Sequence, residues 1–324
     1  MKKFTIQEIM SRAFDMVNLP SEGKFYSCGT KSLNIRNISG IEEKVLSSYF
    51  LNESGEGLRM VLENLILDDF SIVNLILSDL QGIMIYLYAT AFGDELKMQI
   101  KCPHCGYSDD DVRIRLSGLN FKKQELTPQD NKFKFYLPYE NSFDKIAKEY
   151  IESEDKRYVE ILIKPPTFGE QIIMKKSGLD TNNSTNKIVL SIDSIGGNNN
   201  KNQLAQFIKS LNLKTFKKIK TTIQKNELGV DDKQKYECDM CNQESEFNLN
   251  LGYDFLKLPE THKQNVLEEC FLISHYNQGG MNFDRAMELP TTERRWMINR
   301  IQEEMQKKKE AEEKAYNAAK NKKK

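Results

Sequence analysis

The sequence predicts an α+β protein, and three observations carry that prediction. Apolar residues recur at helical spacing near both ends of the chain. A strand-rich stretch occupies the middle. On either side of that stretch lies a C-x-x-C turn bracketed by short segments that alternate apolar and polar residues. Four parts are expected. They are a helical region with the first cysteine turn over 1–120, an inserted α+β domain over 121–230, a second cysteine turn over 231–258, and a helical C-terminal module with a basic tail over 259–324.

The elements follow in order. Ile6, Ile9, Met10, Phe14 and Val17 are spaced for a helix, which the turn residues Leu19-Pro20-Ser21-Glu22-Gly23 end. Leu33 and Ile35 alternate with polar residues in a short strand, Leu33 to Asn37. Ser39 and Glu42 have capping-box spacing, so a helix should run from Ile41 to Phe50. Asn52 to Gly57 reads as a loop. Helices are expected at Leu58 to Leu67 and at Asp79 to Ala91, the latter capped by Ser78.

Leu96, Met98 and Ile100 then alternate with Lys97, Gln99 and Lys101, Cys102-Pro103-His104-Cys105 turns the chain, and Val112, Ile114 and Leu116 return it. The design recurs around Cys238-Asp239-Met240-Cys241, with Phe247, Leu249 and Leu251 on the return. Between the two hairpins, strands are expected at Lys132 to Leu137, Val159 to Lys164 and Lys187 to Ile195. A helix is expected at Thr167 to Lys176, with loops at Gly178 to Asn186 and Gly196 to Asn202. Helices follow near Gln203 to Ser210 and at Leu213 to Glu227, which Gly229 ends. Beyond Pro259, helices are expected at Thr261 to His275, Phe283 to Leu289 and from Thr292 onward.

Bulk properties narrow the function. Lys+Arg and Asp+Glu balance at 47 each, which gives no support to a nucleic-acid or membrane-surface protein. Glu8 arrives before any apolar stretch of signal-peptide length, so no targeting segment is expected. The charge-free run Leu80 to Phe92 is far shorter than the ~20 residues of a membrane span. A reducing cytoplasm is the expected setting, and there paired cysteines signal metal more often than disulfide.

Two C-x-x-C turns in hairpins are the two halves of a zinc ribbon. Zn²⁺ takes four tetrahedral ligands, and Cys102, Cys105, Cys238 and Cys241 supply them. A redox dithiol is the competing reading, but it expects a single C-x-x-C opening a helix after a strand. Structural zinc contributes about 10–16 kcal/mol in model peptides, against roughly 4 kcal/mol for closing so long a loop. Lys97, Lys101, Lys233 and Lys235 are near enough in sequence to offset the charge of four thiolates. Four sulfurs leave no open position for a catalytic water. His104 reads as a solvent-facing turn residue, Cys28 and Cys270 as buried small hydrophobes, and His262 and His275 as unpaired. Asp109-Asp110-Asp111 and the lysines of Phe216-Lys217-Lys218-Ile219-Lys220 read as solvated. No phosphate-binding loop, dinucleotide fingerprint or nucleophile elbow is present. An enzyme and a small-molecule substrate are therefore not expected.

Several segments resemble a known family. Leu19-Pro20-Ser21-Glu22-Gly23-Lys24-Phe25-Tyr26, the helices before Gly93, the first knuckle and the insert are similar to baseplate hub proteins of T-even-like contractile-tailed phages. So are Glu227-Leu228-Gly229-Val230 and the exit from Leu251 to Leu258. The tail resembles a helical module of phage hub-assembly proteins and tail chaperones. It runs from Gly280-Met281-Asn282-Phe283-Asp284 through Met287-Glu288-Leu289-Pro290 to Arg294-Arg295-Trp296-Met297-Ile298. The resemblance implies a non-enzymatic protein used in building the baseplate hub, with other hub or tail proteins as partners. It implies the host cytoplasm during assembly and leaves open whether the chain stays in the virion. It carries over the four cysteines as ligands and no catalytic residue. The alternative class is a zinc-ribbon nucleic-acid-binding accessory protein of replication or transcription, which would need a concentrated basic face.

Trp296 is the sole tryptophan. With Arg295, Met297 and Ile301 it forms a candidate partner-binding stripe on a docking arm, because Trp, Arg and Met are enriched at interface hot spots. The alternative is that Trp296 packs on the preceding helix through Cys270 and Ile273.

Overall fold

A computed structural model describes residues 14–122, 124–176, 184–252, 254–277 and 280–321. The elements open with β1 (Phe14–Asn18), β2 (Ser32–Arg36), α1 (Gly40–Leu46), α2 (Tyr49–Ser54), α3 (Glu56–Leu65) and α4 (Leu77–Phe92). Next come β3 (Glu95–Lys101), β4 (Ser108–Arg115), β5 (Phe133–Pro138), β6 (Ile151–Ser153) and β7 (Lys156–Ile163). α5 (Phe168–Lys176), α6 (Ser184–Ser191), β8 (Ile192–Ile195), α7 (Lys201–Ser210) and α8 (Leu213–Lys225) complete the middle. β9 (Lys233–Glu237), β10 (Glu244–Asn248), α9 (Glu260–Tyr276), α10 (Phe283–Glu288) and α11 (Thr291–Asn321) close the chain. The class is α+β, as the periodicities predict. No helix among the described residues is long and apolar enough to cross a membrane.

Local readings fail where tertiary pairing or side-chain caps intervene. Phe14 and Val17 lie in β1, which pairs with β2, and not in a helix; Ile6, Ile9 and Met10 fall outside the described residues. The expected single helix Ile41 to Phe50 is two. Ser47 ends α1, its Oγ donating to the Glu43 carbonyl at 2.8 Å, and Ser48 starts α2. The Asn52 to Gly57 loop is mostly helix, broken only at Gly55 with φ +80°. The strand expected at Lys187 to Ile195 is helix up to Ser191 and strand only from Ile192. A β-branched run fits either element, and here burial of Ile188 and Ile192 in the same core decides. The loop expected at Gly196 to Asn202 is a tight turn at Gly196–Gly197, closed by an Ile195–Asn198 bridge, and from Lys201 it is already α7. Asn198 is buried, and its Nδ2 donates to the Ile146 carbonyl at 3.0 Å and to Gln203 at 2.8 Å. α8 ends at Asn226, before Gly229.

The chain divides into two compact units. The first takes the residues up to Ile35, Ile66–Tyr86 and Glu95–Phe255. Its largest element is the insert. There β7 pairs antiparallel with β5 along one edge, and with β6 and β8 at the two ends of the other. Phe133, Phe143, Ile161, Ile192, Leu204, Phe207 and Ile219 close the core between this sheet and α6 to α8. Each such side chain contributes about 1.5–3 kcal/mol on burial, so the insert holds a core of its own. Its two ends meet: Phe121 bridges Val230, Lys122 N–H donates to Gly229 at 2.9 Å, and Asp231 N–H donates to Asn120 at 2.7 Å. Gly229 is needed there, since its φ is +123° and a Cβ would lie 2.8 Å from Gln81 Oε1.

The Leu19 to Tyr26 turn locks onto the first turn of α4. Ser21 N–H and Oγ donate to Asp79 at 2.8 and 2.6 Å, and Tyr26 Oη donates to it at 2.6 Å. The same Tyr26 oxygen accepts Ile76 N–H at 3.1 Å. Burial pushes the Asp79 carboxyl up, against the pull of those donors. Ser78, the expected cap, sits one residue inside the helix, and its buried hydroxyl has no hydrogen-bond partner.

The second unit joins Arg36–Leu65 and Leu87–Asp94 to the segment from Leu256 onward. Ser39 and Glu42 form the predicted capping box at the start of α1. Val266, Cys270, Ile273, Ala286, Met287 and Ile298 form a core between α9, α10 and α11. A charged centre ties α1 to that core. Glu43 is 0% exposed and Arg294 1% exposed, with Arg294 Nη2 at 2.5 Å from Glu43 Oε1. Arg294 Nε donates to Glu269 at 2.7 Å, Thr291 Oγ1 to Glu43 at 2.5 Å, and His262 Nε2 contacts Glu43 Oε2. Burial disfavours the Glu43 charge, but His262, Arg294 and Thr291 outweigh it and hold the carboxyl at about 2. In this unit α1 to α3 therefore stand together with α9 to α11.

Candidate metal centre

Each knuckle is built the same way. β3 and β4 form one two-stranded hairpin, β9 and β10 the other, and each carries its cysteine pair in the turn. Directly after the second cysteine of each pair the backbone turns left-handed, at Gly106 (φ +77°) and Asn242 (φ +53°). These are the two residue types that adopt that conformation most readily. The turn aims backbone N–H groups at the sulfurs: Met240 and Cys241 at Cys238, Tyr107 at Cys105, and Gln243 at Cys241. Ile100, Tyr236, Met98, Val112 and Phe247 pack around the cysteines and anchor both hairpins.

The four Sγ atoms lie within 4.8 Å of one another. Two pairs cross between knuckles at close range, Cys102 to Cys241 at 3.7 Å and Cys105 to Cys238 at 3.6 Å. A disulfide requires about 2.05 Å, so these are free thiols. A tetrahedral ion with metal–sulfur bonds of about 2.3 Å has ligand edges of roughly 3.8 Å, close to the observed separations. The four cysteines therefore fit a metal ion. Cys102 and Cys238 are buried, Cys241 is half-buried and Cys105 is exposed. Burial raises Cys238, yet the Met240 and Cys241 N–H groups and the Cys105 and Cys102 thiols bring it down to about 6. Cys241 is pushed up to about 12: its Gln243 N–H favours the thiolate, while burial and the other three sulfurs oppose it. Cys238 ionises readily while Cys105 and Cys241 are raised, which is the behaviour of a thiol cluster that a cation would neutralise.

The other sequence candidates are placed plainly. His104 is exposed in its turn and is not among the clustered ligands. Cys270 is buried as expected. Cys28 is not: it is exposed, 2.9 Å from Thr30 Oγ1, because it lies on a surface turn between β1 and β2. Lys97 faces Asp111 at 3.7 Å, so its charge is shared with the neighbouring strand. On α11, Trp296 is 64% exposed, and Ile298 takes the place against Cys270 and Ile273 that packing of Trp296 would need. Met297 and Ile301 are half-buried against the same core. Arg295 reaches the Ala91 carbonyl at 3.3 Å and lies 5.3 Å from the Phe92 ring centroid. Sequence reasoning missed the buried Glu43–Arg294 pair and the half-buried His262 beside it. Three polar residues far apart in sequence carry no local mark of their meeting.

The sequence model of a family described as T4 bacteriophage base plate protein matches residues 12–257. Comparison with curated proteins and with solved structures gives no match. The matched span holds both knuckles, the insert between them, the Leu19 to Tyr26 turn and α4, which is most of the chain, so the protein belongs to the T4 bacteriophage base plate protein family.

Proposed function

We propose that the chain is a non-enzymatic hub component, or hub assembly factor, of a contractile-tail baseplate. In this reading one Zn²⁺ on Cys102, Cys105, Cys238 and Cys241 closes the ribbon, and contacts with other hub or tail proteins do the work. The observation that carries the reading is the family match spanning a four-thiol cluster at tetrahedral spacing. Thiolate-only tetrahedral sites suit zinc in a structural role, with no open coordination position. Trp296, Arg295, Met297 and Ile301 are the proposed partner-binding residues. Exposure of the lone tryptophan beside a fixed arginine supports that assignment. Assembly would take place in the host cytoplasm.

The nucleic-acid reading fares worse at the ribbon. Its second hairpin sets Glu237, Asp239, Glu244 and Glu246 against only Lys233 and Lys235, and four metal-bound thiolates would add negative charge. Metal analysis of protein purified without chelator tests the zinc, with about one ion per chain expected. Mass spectrometry of purified particles tests the hub. Presence at defined copy number supports a component, whereas presence only on assembly intermediates supports a transient factor. Absence from both sinks the reading.

A further inference from the structure

The insert carries a second candidate surface that neither the metal centre nor the α11 stripe uses. α8 contains five lysines and no acid. Thr215 and Ile219, with Phe216 and Ile223, turn one face into the insert core. That fixes Lys214, Lys217 and Lys218 on the outside, where all three are exposed. Several other lysines of the insert are neutralised: Lys132 by Asp193 at 2.8 Å, Lys134 by Glu160 at 3.0 Å, Lys164 by Glu170 at 2.9 Å and Lys225 by Glu125 at 3.0 Å. Lys214, Lys217 and Lys218 have no ion-pair partner among the described residues. The carboxylate at this end of the helix, Glu140, is engaged by Asn212 at 3.0 Å and Thr215 at 2.9 Å.

The placement also works against the helix. Lys214 and Lys217 stand in its first turns, where the macrodipole is positive and acidic residues would stabilise. Beside them Leu213 is 81% exposed. An apolar residue ringed by unneutralised lysines, held at a local cost in stability, matches a surface of opposite charge with an apolar spot.

We infer that the Leu213–Lys218 face of α8 docks a carboxylate-rich surface of another protein, which on the baseplate reading is a neighbouring tail protein. Polypeptide fits better than nucleic acid. Three lysines within one turn span about 6 Å, far short of the 6–10 phosphate contacts typical of DNA binding. Phe216 is half-buried in the insert core and offers no free ring for stacking on a base. The exposed leucine has no use against a phosphate backbone.

The test uses the full chain and a triple charge reversal, K214E/K217E/K218E, with the triple arginine variant as control. All three positions are exposed, and circular dichroism and metal content check that the fold survives. Binding of labelled poly-L-glutamate and of duplex DNA is measured by fluorescence anisotropy at low and physiological salt. The expected result is salt-sensitive poly-L-glutamate binding that falls roughly tenfold or more in the reversal and stays within about twofold in the arginine variant. Unchanged binding in the reversal overturns the inference, and so does tighter binding of DNA than of poly-L-glutamate. A parallel assay complements a phage lacking the gene. Wild-type chain on particles with the reversal variant missing supports the docking face; equal loading of both overturns it. If the wild-type chain itself never associates with particles or intermediates, the hub reading is what fails, and the anisotropy result still decides the docking face.

Discussion

Arg294→Ala should unfold the second unit preferentially, and the size of the effect can be worked from its surroundings. The guanidinium is 1% exposed and bridges Glu43 at 2.5 Å and Glu269 at 2.7 Å. Truncation leaves Glu43, itself 0% exposed, with only Thr291 and His262 as partners. Breaking a buried ion pair by removing one member costs about 3–5 kcal/mol, because the remaining charge is stranded. That is a large part of the 5–15 kcal/mol that typically holds a domain. Urea unfolding of wild type, Arg294→Ala and Arg295→Ala measures it. Arg295 is half-buried, with one long carbonyl contact and a cation–π contact, so its loss should cost at most about 1 kcal/mol. Equal midpoints for the two variants would refute the argument. The acid side gives an independent check. Glu43 is held at about 2 against an ordinary 4.5, so its ionised form stabilises the fold. That stabilisation, about 3 kcal/mol, is complete above pH 4.5 and is lost as pH falls toward 2. Arg294→Ala should flatten this acid limb. The groups facing Glu43 are His262 from α9 and Thr291 and Arg294 from α11, so a double-mutant cycle with Glu43→Gln isolates the arginine's share.

Three further outcomes are expected. Cys102→Ser, or a strong chelator, should remove the metal and loosen both hairpins, read as lost zinc and increased hydrogen exchange in β3, β4, β9 and β10; Cys28→Ser, on the surface, should change stability by no more than about 0.5 kcal/mol. Trp296→Ala should also stay within about 0.5 kcal/mol of wild type while reducing association with tail proteins in co-sedimentation, and full association would remove Trp296 from the partner surface. Truncation after Leu258 deletes His262, Thr291 and Arg294 and so uncovers Glu43. Zinc should remain bound in that fragment, but residues 36–65 should lose exchange protection; intact protection there would show that α1 to α3 stand without α9 to α11.

The knuckles were legible because their chemistry is local. Two cysteines three residues apart, alternating strands on each side, and Gly106 or Asn242 after the pair are all short-range signals. The capping box at Ser39 and Glu42 was legible for the same reason. The break between α1 and α2 was harder, since Ser47 and Ser48 are ordinary helix residues until one of them bonds the Glu43 carbonyl.

Sequence alone therefore determined the α+β class, the four cysteines that cluster and the family resemblance. Each rests on residue type at fixed spacing. Only the tertiary structure decided that the insert's ends pair with each other, and that Phe14 to Asn18 becomes a strand against β2. It alone placed Glu43 of α1 against Arg294 of α11. Those outcomes depend on which distant segment supplies the hydrogen bond or counter-charge. A buried carboxylate takes whichever cation the fold brings to it, and nothing within a few residues of Glu43 says which one that is.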